Sequence, residues 1–486
     1  MGRGNNRRRS GVSRRTFVKA AGASGVTAGS LGLAGCLGSA QEDTVIIHAD
    51  SDFKDYRDPF LEALHEAGLD ESITYEVRAA ANNTEQRRQD IQSALEAGRA
   101  PPDIFMMDSG WTIPFILREQ TVNLEEHLSN EVLNRIQDTY LPMSVETASH
   151  PETGNLNALP LFPDFPVMLY RRDLVEEAGY DTSGWATQPM SWQEFSRVVA
   201  DAQEQAGLDF GFTTQASAYE GLSCCTFNET MSGWGGAYFN GLDQIFDAGG
   251  REVTVEEEPV LNAIRMMRSF MYGEEDEHAL EGFEQISPTS IVQWIEDTSL
   301  GPFQNGNAVA HRNWPFAIAE TATEDAFGEA IGTMPMPYGV PEEESEYDGL
   351  GGSRVALGGW HLAINPGTER LDECVQILEA FTAESVQLTL FEVGSWFPPN
   401  IELLESDTVQ ETEPLGRYTD TLRFVGNRAV PRPVSDVWTE QSAHIYIEVH
   451  NAYTRSKSPE QAMADLHERL RDSEQAVAQL EEEDGN

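Results

Sequence analysis

Two tryptophans, a handful of arginines and a scatter of carboxylates are the residues of this chain with chemistry to offer. Trp314 follows His311-Arg312-Asn313 at the end of a run of small apolar residues, and Pro315 stiffens the turn after it. Trp360 follows Gly358-Gly359. An indole so placed is either core or a flat platform for the apolar face of a ligand; the pairing of the two positions and the stiff turn favour the platform. Arg432 sits between Pro431 and Pro433, so its backbone is held and its forked donor head is pre-aimed, at a ligand or at a carboxylate across a cleft. Asp108 and Asp164 could be the paired carboxylates of glycoside hydrolysis, which stand about 5–5.5 Å or 6.5–9.5 Å apart. A general acid also needs an apolar pocket that lifts its pKa, and nothing in the sequence marks either aspartate that way. GxSxG, HExxH, a P-loop and a Rossmann fingerprint are absent. The expectation is therefore a binding protein and not an enzyme. His311 has no partner set for a metal and reads as a neutral scaffold residue, and neither metal nor cofactor is expected.

The elements that position these residues alternate. Residues 44–49 predict a buried strand, residues around 59–64 a helix, and residues 73–77 a second strand. A helix over 87–98 is stopped by Gly98 and the prolines after it. Residues 103–107 predict a third strand whose exit delivers Asp108 and Trp111. Strands alternating with helices predict an α/β sheet covered on both faces, with ligand beyond the carboxyl ends of the strands. A break follows near 151–160, then a strand ending at Tyr170 and a helix ending near Gly179. Ser191 and Glu194 have capping-box spacing at the start of the next helix. Short helices with aromatic residues reach about residue 300, a strand-like run at 308–310 precedes Trp314, and 334–337 (MPMP) suits an interdomain crossing. Residues 356–365 predict a strand through Trp360, and helices continue to about Leu470.

The N-terminus is built for export. Arginines at 3, 7, 8 and 9 and the Arg14-Arg15 pair precede a Gly/Ala-rich stretch that is shorter than a membrane span. The pair resembles a twin-arginine signal, and Leu33-Ala34-Gly35-Cys36 resembles a lipobox that would leave a lipidated Cys36 as the first mature residue. The formal net charge is -49, with lysine only at 19, 54 and 457. With 40% apolar residues, 9 Trp and 22 Phe, this is a folded core under a carboxylate surface, as in proteins that work in concentrated salt. No basic stripe is left to bind nucleic acid. Cys224, Cys225 and Cys374 make an odd number, so no disulfide framework is expected. The neighbours Cys224 and Cys225 read as two small buried thiols, with a vicinal bridge as the alternative.

Several segments, in order, carry a resemblance: DIFMMDSGW at 103–111, 158–180, SWQEF at 191–195, YEGLSCCTFNETMSGWGG at 219–236, 303–317, GGWHLAINP at 358–366, RAVPRPVSD at 428–436 and 458–466. Over about 44–470 the chain resembles the extracellular solute-binding proteins of ATP-driven sugar importers, above all the trehalose/maltose-binding branch, in a haloarchaeal-type lipoprotein form. The resemblance implies a two-lobe periplasmic-binding-protein-like α/β fold with a hinged interlobe cleft. It implies residues 1–36 as export signal, 43–157 and 340–394 as one lobe, 158–339 and 395–475 as the other, and 476–486 as an acidic tail. The ligand set it implies is Asp108, Asp164, Trp314, Trp360, Arg432, Tyr219 and Glu220, with Arg87 or Arg88 and Asp52 or Asp50. Phe162 and Phe165 either line the cleft or pack the hinge, and Trp234 packs. FPDFPV departs from the smaller residues common around that aspartate in related proteins, which leaves one subsite open between a monosaccharide and a disaccharide. The implied protein is a monomer held to the outer face of the cell membrane through Cys36, capturing a trehalose-, maltose- or glucose-like sugar for the importer's permease subunits. The alternatives are another solute, a polyol or oligopeptide, or a glycoside-active enzyme using Asp108 and Asp164.

Overall fold

β1 (Thr44–Ala49) buries Val45, Ile47 and Ala49 and opens a parallel pair with β2 (Thr74–Ala79). β3 (Ile104–Asp108) is buried at every position and lies on the other side of β1, also parallel. The structure is a computed structural model and describes residues 44–80, 84–99, 101–246, 248–435 and 437–484. The export signal and the lipobox Cys36 lie outside the described residues. Among those described, no helix is long and apolar enough to cross a membrane.

The chain leaves the first sheet through β4 (Leu159–Asp164) and enters a second through β5 (Val167–Arg171). β6 (Phe210–Thr213), β7 (Ala308–Asn313) and β8 (Ile331–Met334) complete that second sheet in the order β6-β7-β5-β8. β9 (Val355–Ile364) returns to the first sheet, antiparallel to both β3 and β4, while its first three residues pair in parallel with β10 (Ala429–Pro431). The first sheet therefore runs β10-β9-β3-β1-β2 with β4 also on β9. Each sheet has its own apolar core: Ile47, Phe60, Ile104 and Leu378 belong to one, and Phe212, Ile264, Phe270 and Leu466 to the other. The fold is thus a two-lobe α/β architecture.

The crossing between β4 and β5 is packed with aromatics. Phe162 stacks on Trp396 with ring centroids 4.6 Å apart, and Phe165 stacks on Phe397 at 5.1 Å. Both phenylalanines pack the crossing and do not offer a free face. Gly359 has φ +129°, and a Cβ there would lie 2.6 Å from the Phe162 carbonyl oxygen. A side chain at 359 would push β4 and β9 apart just where the cleft residues sit.

Four local expectations change. Ser191 does cap the helix Trp192–Ala206, accepting from the Glu194 N–H, but the Glu194 carboxylate lies 3.9 Å from Arg197 on the next turn in place of completing a capping box. The strand at 308–310 runs on through His311, Arg312 and Asn313 as β7, because all six residues are buried. The last helix does not stop near Leu470 but spans Pro459–Asp484. Glu474 holds it in: that carboxylate is buried and accepts from the Gly249 and Arg251 backbone N–H groups, the Arg251 guanidinium and Gln441. Cys224 and Cys225 are not two thiols. They form a vicinal disulfide inside the buried turn Leu222–Thr226, where adjacent Cα atoms stand 3.8 Å apart. Cys374 is a buried free thiol.

Candidate functional site

Three strand ends converge on residues 358–360 of β9. β3 ends at Asp108, whose register partner is Trp360. β4 ends at Asp164, opposite Gly358. β7 hands over to Trp314, whose ring edge lies 3.3 Å from where a Cβ on Gly358 would stand. Trp314 and Trp360 are both half-buried, so each indole keeps an accessible part.

Every guanidinium here is held. Arg432 is buried; its Nη1 stands 3.2 Å from Asp108 Oδ1 and donates to Glu220 Oε1 at 3.2 Å. Its Nε is buried without a hydrogen-bond partner among the described residues. Asp108 Oδ1 also accepts from the Gly110 N–H at 2.7 Å. A Cβ on Gly110 would come 2.5 Å from the Arg432 guanidinium, so glycine is what lets the arginine approach. Arg87 is buried with its Cζ 4.3 Å from the Trp360 ring centroid and its Nη1 3.7 Å from Asp50 Oδ2. Burial lowers the Arg87 pKa, while Asp50, Asp108 and Asp52 oppose that fall. Arg312 is buried with its Cζ 5.0 Å from the Trp314 ring. Each indole therefore has a cation on one face, a contact worth about 0.5–2 kcal/mol.

The carboxylates divide by environment. Burial pushes Asp164 up to about 7, with Arg312 and the Phe165 N–H pulling it down and Asp108 pushing it further up. The sequence offered no sign of burial that would raise either aspartate; Asp164 lies on the crossing between Phe162 and Phe165, whose rings are packed on Trp396 and Phe397. Asp50 caps the helix Ser51–Asp55 through the Phe53 N–H at 2.8 Å and is itself raised by burial. Of the two acids after β1, Asp50 faces Arg87, and Asp52 lies exposed on the first helical turn.

The remaining candidates sort out plainly. Arg88 is only half-buried; it donates to Gln92 and lines a different depression with Trp111, Phe115 and Thr439. Tyr219 donates its hydroxyl to Glu296 at 2.7 Å, and burial followed by the Glu296 charge pushes that phenol well above its ordinary range. Trp234 packs, donating to the Met266 sulfur. His311 is buried on β7, bonded to Thr213 and Asn313, and burial holds it down to about 3, a neutral scaffold group. Sequence reasoning missed Glu229, which is fully engaged by Arg312. Its only signal was a lone charge inside an otherwise uncharged helical stretch, Phe227–Gly233.

With these groups in place, the comparison with known proteins decides the class. Residues 60–415 match the bacterial extracellular solute-binding protein family. The chain belongs to that family. A probable ABC transporter-binding protein of Deinococcus radiodurans is 24% identical over 388 residues, covering 78% of this chain and 81% of that relative. Maltose-bound MalE3 of T. maritima superposes with a TM-score of 0.71 at 24% identity, covering 88% of this chain and 99% of the other. An ABC transporter solute-binding protein from Thermotoga lettingae bound with α-D-tagatose superposes with a TM-score of 0.68 at 17% identity, covering 89% and 100%. In this chain Asp108, Asp164 and Trp314 lie along residues 358–360 of β9, which include Trp360, and Arg432 faces Asp108. Among the described residues, no group of three or more His, Cys, Asp or Glu is placed to hold a metal ion.

Proposed function

We propose that this chain is the solute-capturing subunit of an ABC importer and that its solute is a neutral sugar or polyol. The observation that carries the reading is the gathering of two half-exposed indoles and two aspartates along residues 358–360 of β9. A pyranose offers a flat C–H face to an indole and rim hydroxyls to carboxylates, and these residue types suit both. Each arginine of the site already faces a carboxylate, Arg432 with Asp108 and Glu220, Arg312 with Glu229, Arg87 with Asp50. That balance favours an uncharged solute over a sugar acid. The relatives solved with maltose and with tagatose support the same class.

On this reading residues 43–157 with 340–394 and residues 158–339 with 395–475 move as the two lobes, and the solute selects their closed arrangement. The permease subunits then read the closed surface. Export through Arg14-Arg15, anchoring through Cys36, a monomeric state and work at molar salt complete the proposal, the last resting on the net charge of -49.

The enzyme alternative gains one observation, the Asp164 pKa near 7, a value suited to a general acid. Against it, Asp108 is already engaged by Arg432 and Gly110. Calorimetric titration of the protein in molar salt with maltose, trehalose, glucose, tagatose and ribitol tests both. Saturable heat with one of them is the expected result. Silence across the panel overturns the sugar reading, and steady release of product in place of saturation overturns the binder.

A further inference from the structure

Arg312 stands two residues before Trp314 yet points into the core of the second lobe, 2% exposed. Its Nε donates to Glu229 Oε1 at 2.6 Å and its Nη2 to Oε2 at 2.8 Å. Its Nη1 donates to Gln215 Oε1 at 3.0 Å, and Gln215 in turn donates to Ser299 Oγ at 2.7 Å and to the Arg312 carbonyl at 3.1 Å. Every nitrogen of the fork is thereby fixed. Glu229 Oε2 also accepts from the Ala356 N–H at 3.4 Å, at the start of the strand whose Gly358 lies beside both Trp314 and Asp164. Pairs this deeply buried add little net stability, because desolvation offsets the attraction. What this one supplies is a cation in a single orientation, 5.0 Å from the Trp314 ring and close enough to act on Asp164.

We infer that Glu229, acting through Arg312, is a positioning residue of the solute site: it locks a cation behind Trp314, in the field that acts on Asp164, and so holds the indole in its binding arrangement. The inference rests on the cleft being the solute site. The charged groups that act on Asp164 are Arg312 from β7 and Asp108 from β3. Those that share the field of Arg312 are Glu229, Tyr219 and His311. Burial works to raise the Glu229 carboxyl, and the Arg312 pair opposes it.

The test compares the parent chain with Glu229→Gln and with the double variant Glu229→Gln/Arg312→Met. The first readout needs no solute: the pH titration of Trp314 emission, obtained by subtracting a Trp314→Phe background in each case. The parent midpoint is expected near 7. Glu229→Gln leaves the Arg312 cation uncompensated, so the midpoint falls by about one pH unit. The double variant removes that cation, so the midpoint rises by about as much. A merely structural pair would change the melting temperature of both variants and leave both midpoints in place, which overturns the inference. If the single variant does not fold, the double variant carries the test alone, since it leaves neither member of the buried Glu229–Arg312 pair without its partner. The second readout is maltose affinity across the same pH range. Opposed midpoints without maltose binding count against the proposed solute class and leave the positioning role standing.

Discussion

Arg432 Nη1 stands 3.2 Å from Asp108 Oδ1 and ties the end of β3 to the segment that leaves β10. The same nitrogen reaches Glu220 Oε1 at 3.2 Å, just before the disulfide-bearing turn Leu222–Thr226. One cation thus joins a carboxylate beside the first core to a carboxylate beside the second. On the proposed reading, a solute that bonds to Asp108 shares or replaces this contact.

Arg432→Ala leaves Asp108 and Glu220 with no cation between them. The expected outcome is a larger radius of gyration for the solute-free protein by small-angle scattering. Sugar affinity falls about 10–100-fold, the loss of one or two charge-assisted bonds of about 1.5–3 kcal/mol. Gly110→Ala should act in the same direction, because its Cβ would occupy the space of the guanidinium. Unchanged scattering together with unchanged affinity would remove Arg432 from both roles.

Arg87 and Arg88 are neighbours in sequence with opposite prospects. Arg87→Met keeps an aliphatic cover on Trp360 but deletes the cation 4.3 Å from its ring. Affinity for sugar should fall about 3–30-fold, following the ~0.5–2 kcal/mol of such a contact. Arg88→Met should leave affinity within about twofold, as expected for a surface substitution clear of the site. Calorimetry on the two variants side by side checks the assignment, and equal losses would contradict it.

Much of the frame could be read from the chain. β1, β3 and β5 fall where short apolar runs bounded by turn residues predict strands, and Asp108 and Trp360 come from strands that the alternation of elements exposes. What could not be read depends on contacts between distant segments. Arg312 and Arg87 look like surface arginines in sequence; only the pairing of β7 with β5 and the packing of helix Thr84–Glu96 against β3 bury them. The helix past Leu470 looked like a tail because its acids read as solvated, whereas Glu474 answers Arg251, 223 residues away. The packing of the crossing on either side of Asp164 has the same origin, since Trp396 and Phe397 stack on Phe162 and Phe165 from far along the chain.

Acid should weaken this fold through two histidines. Burial holds His311 and His361 down to about 3, from 6.5 in the unfolded chain. Their contribution to stability is complete above pH 6.5 and is lost as the pH falls toward 3, because the unfolded chain takes up protons that the fold refuses. The slope is about 1.4 kcal/mol per pH unit for each histidine. Urea midpoints measured from pH 7 down to pH 4 should therefore drop, and His361→Gln should flatten that drop by removing one proton from the balance. An unaltered slope in the variant would mean that His361 already titrates in the folded state.

Asp164 has the opposite sign. Its folded-state pKa of about 7 lies above the ordinary 3.8, so its contribution is fully present below pH 3.8 and is lost as the pH rises through 7. Asp164→Asn removes the ionisation, and the variant should exceed the parent in stability at pH 8 by on the order of 1–2 kcal/mol, after allowance for the solvent that reaches the cleft. The same variant should bind sugar more weakly, since an amide accepts with one oxygen where a carboxylate accepts with two. Gain in the urea midpoint and loss in calorimetric affinity thus move in opposite directions, the pattern of a group kept for the solute at the expense of the fold. Joint loss of both would make Asp164 a packing residue.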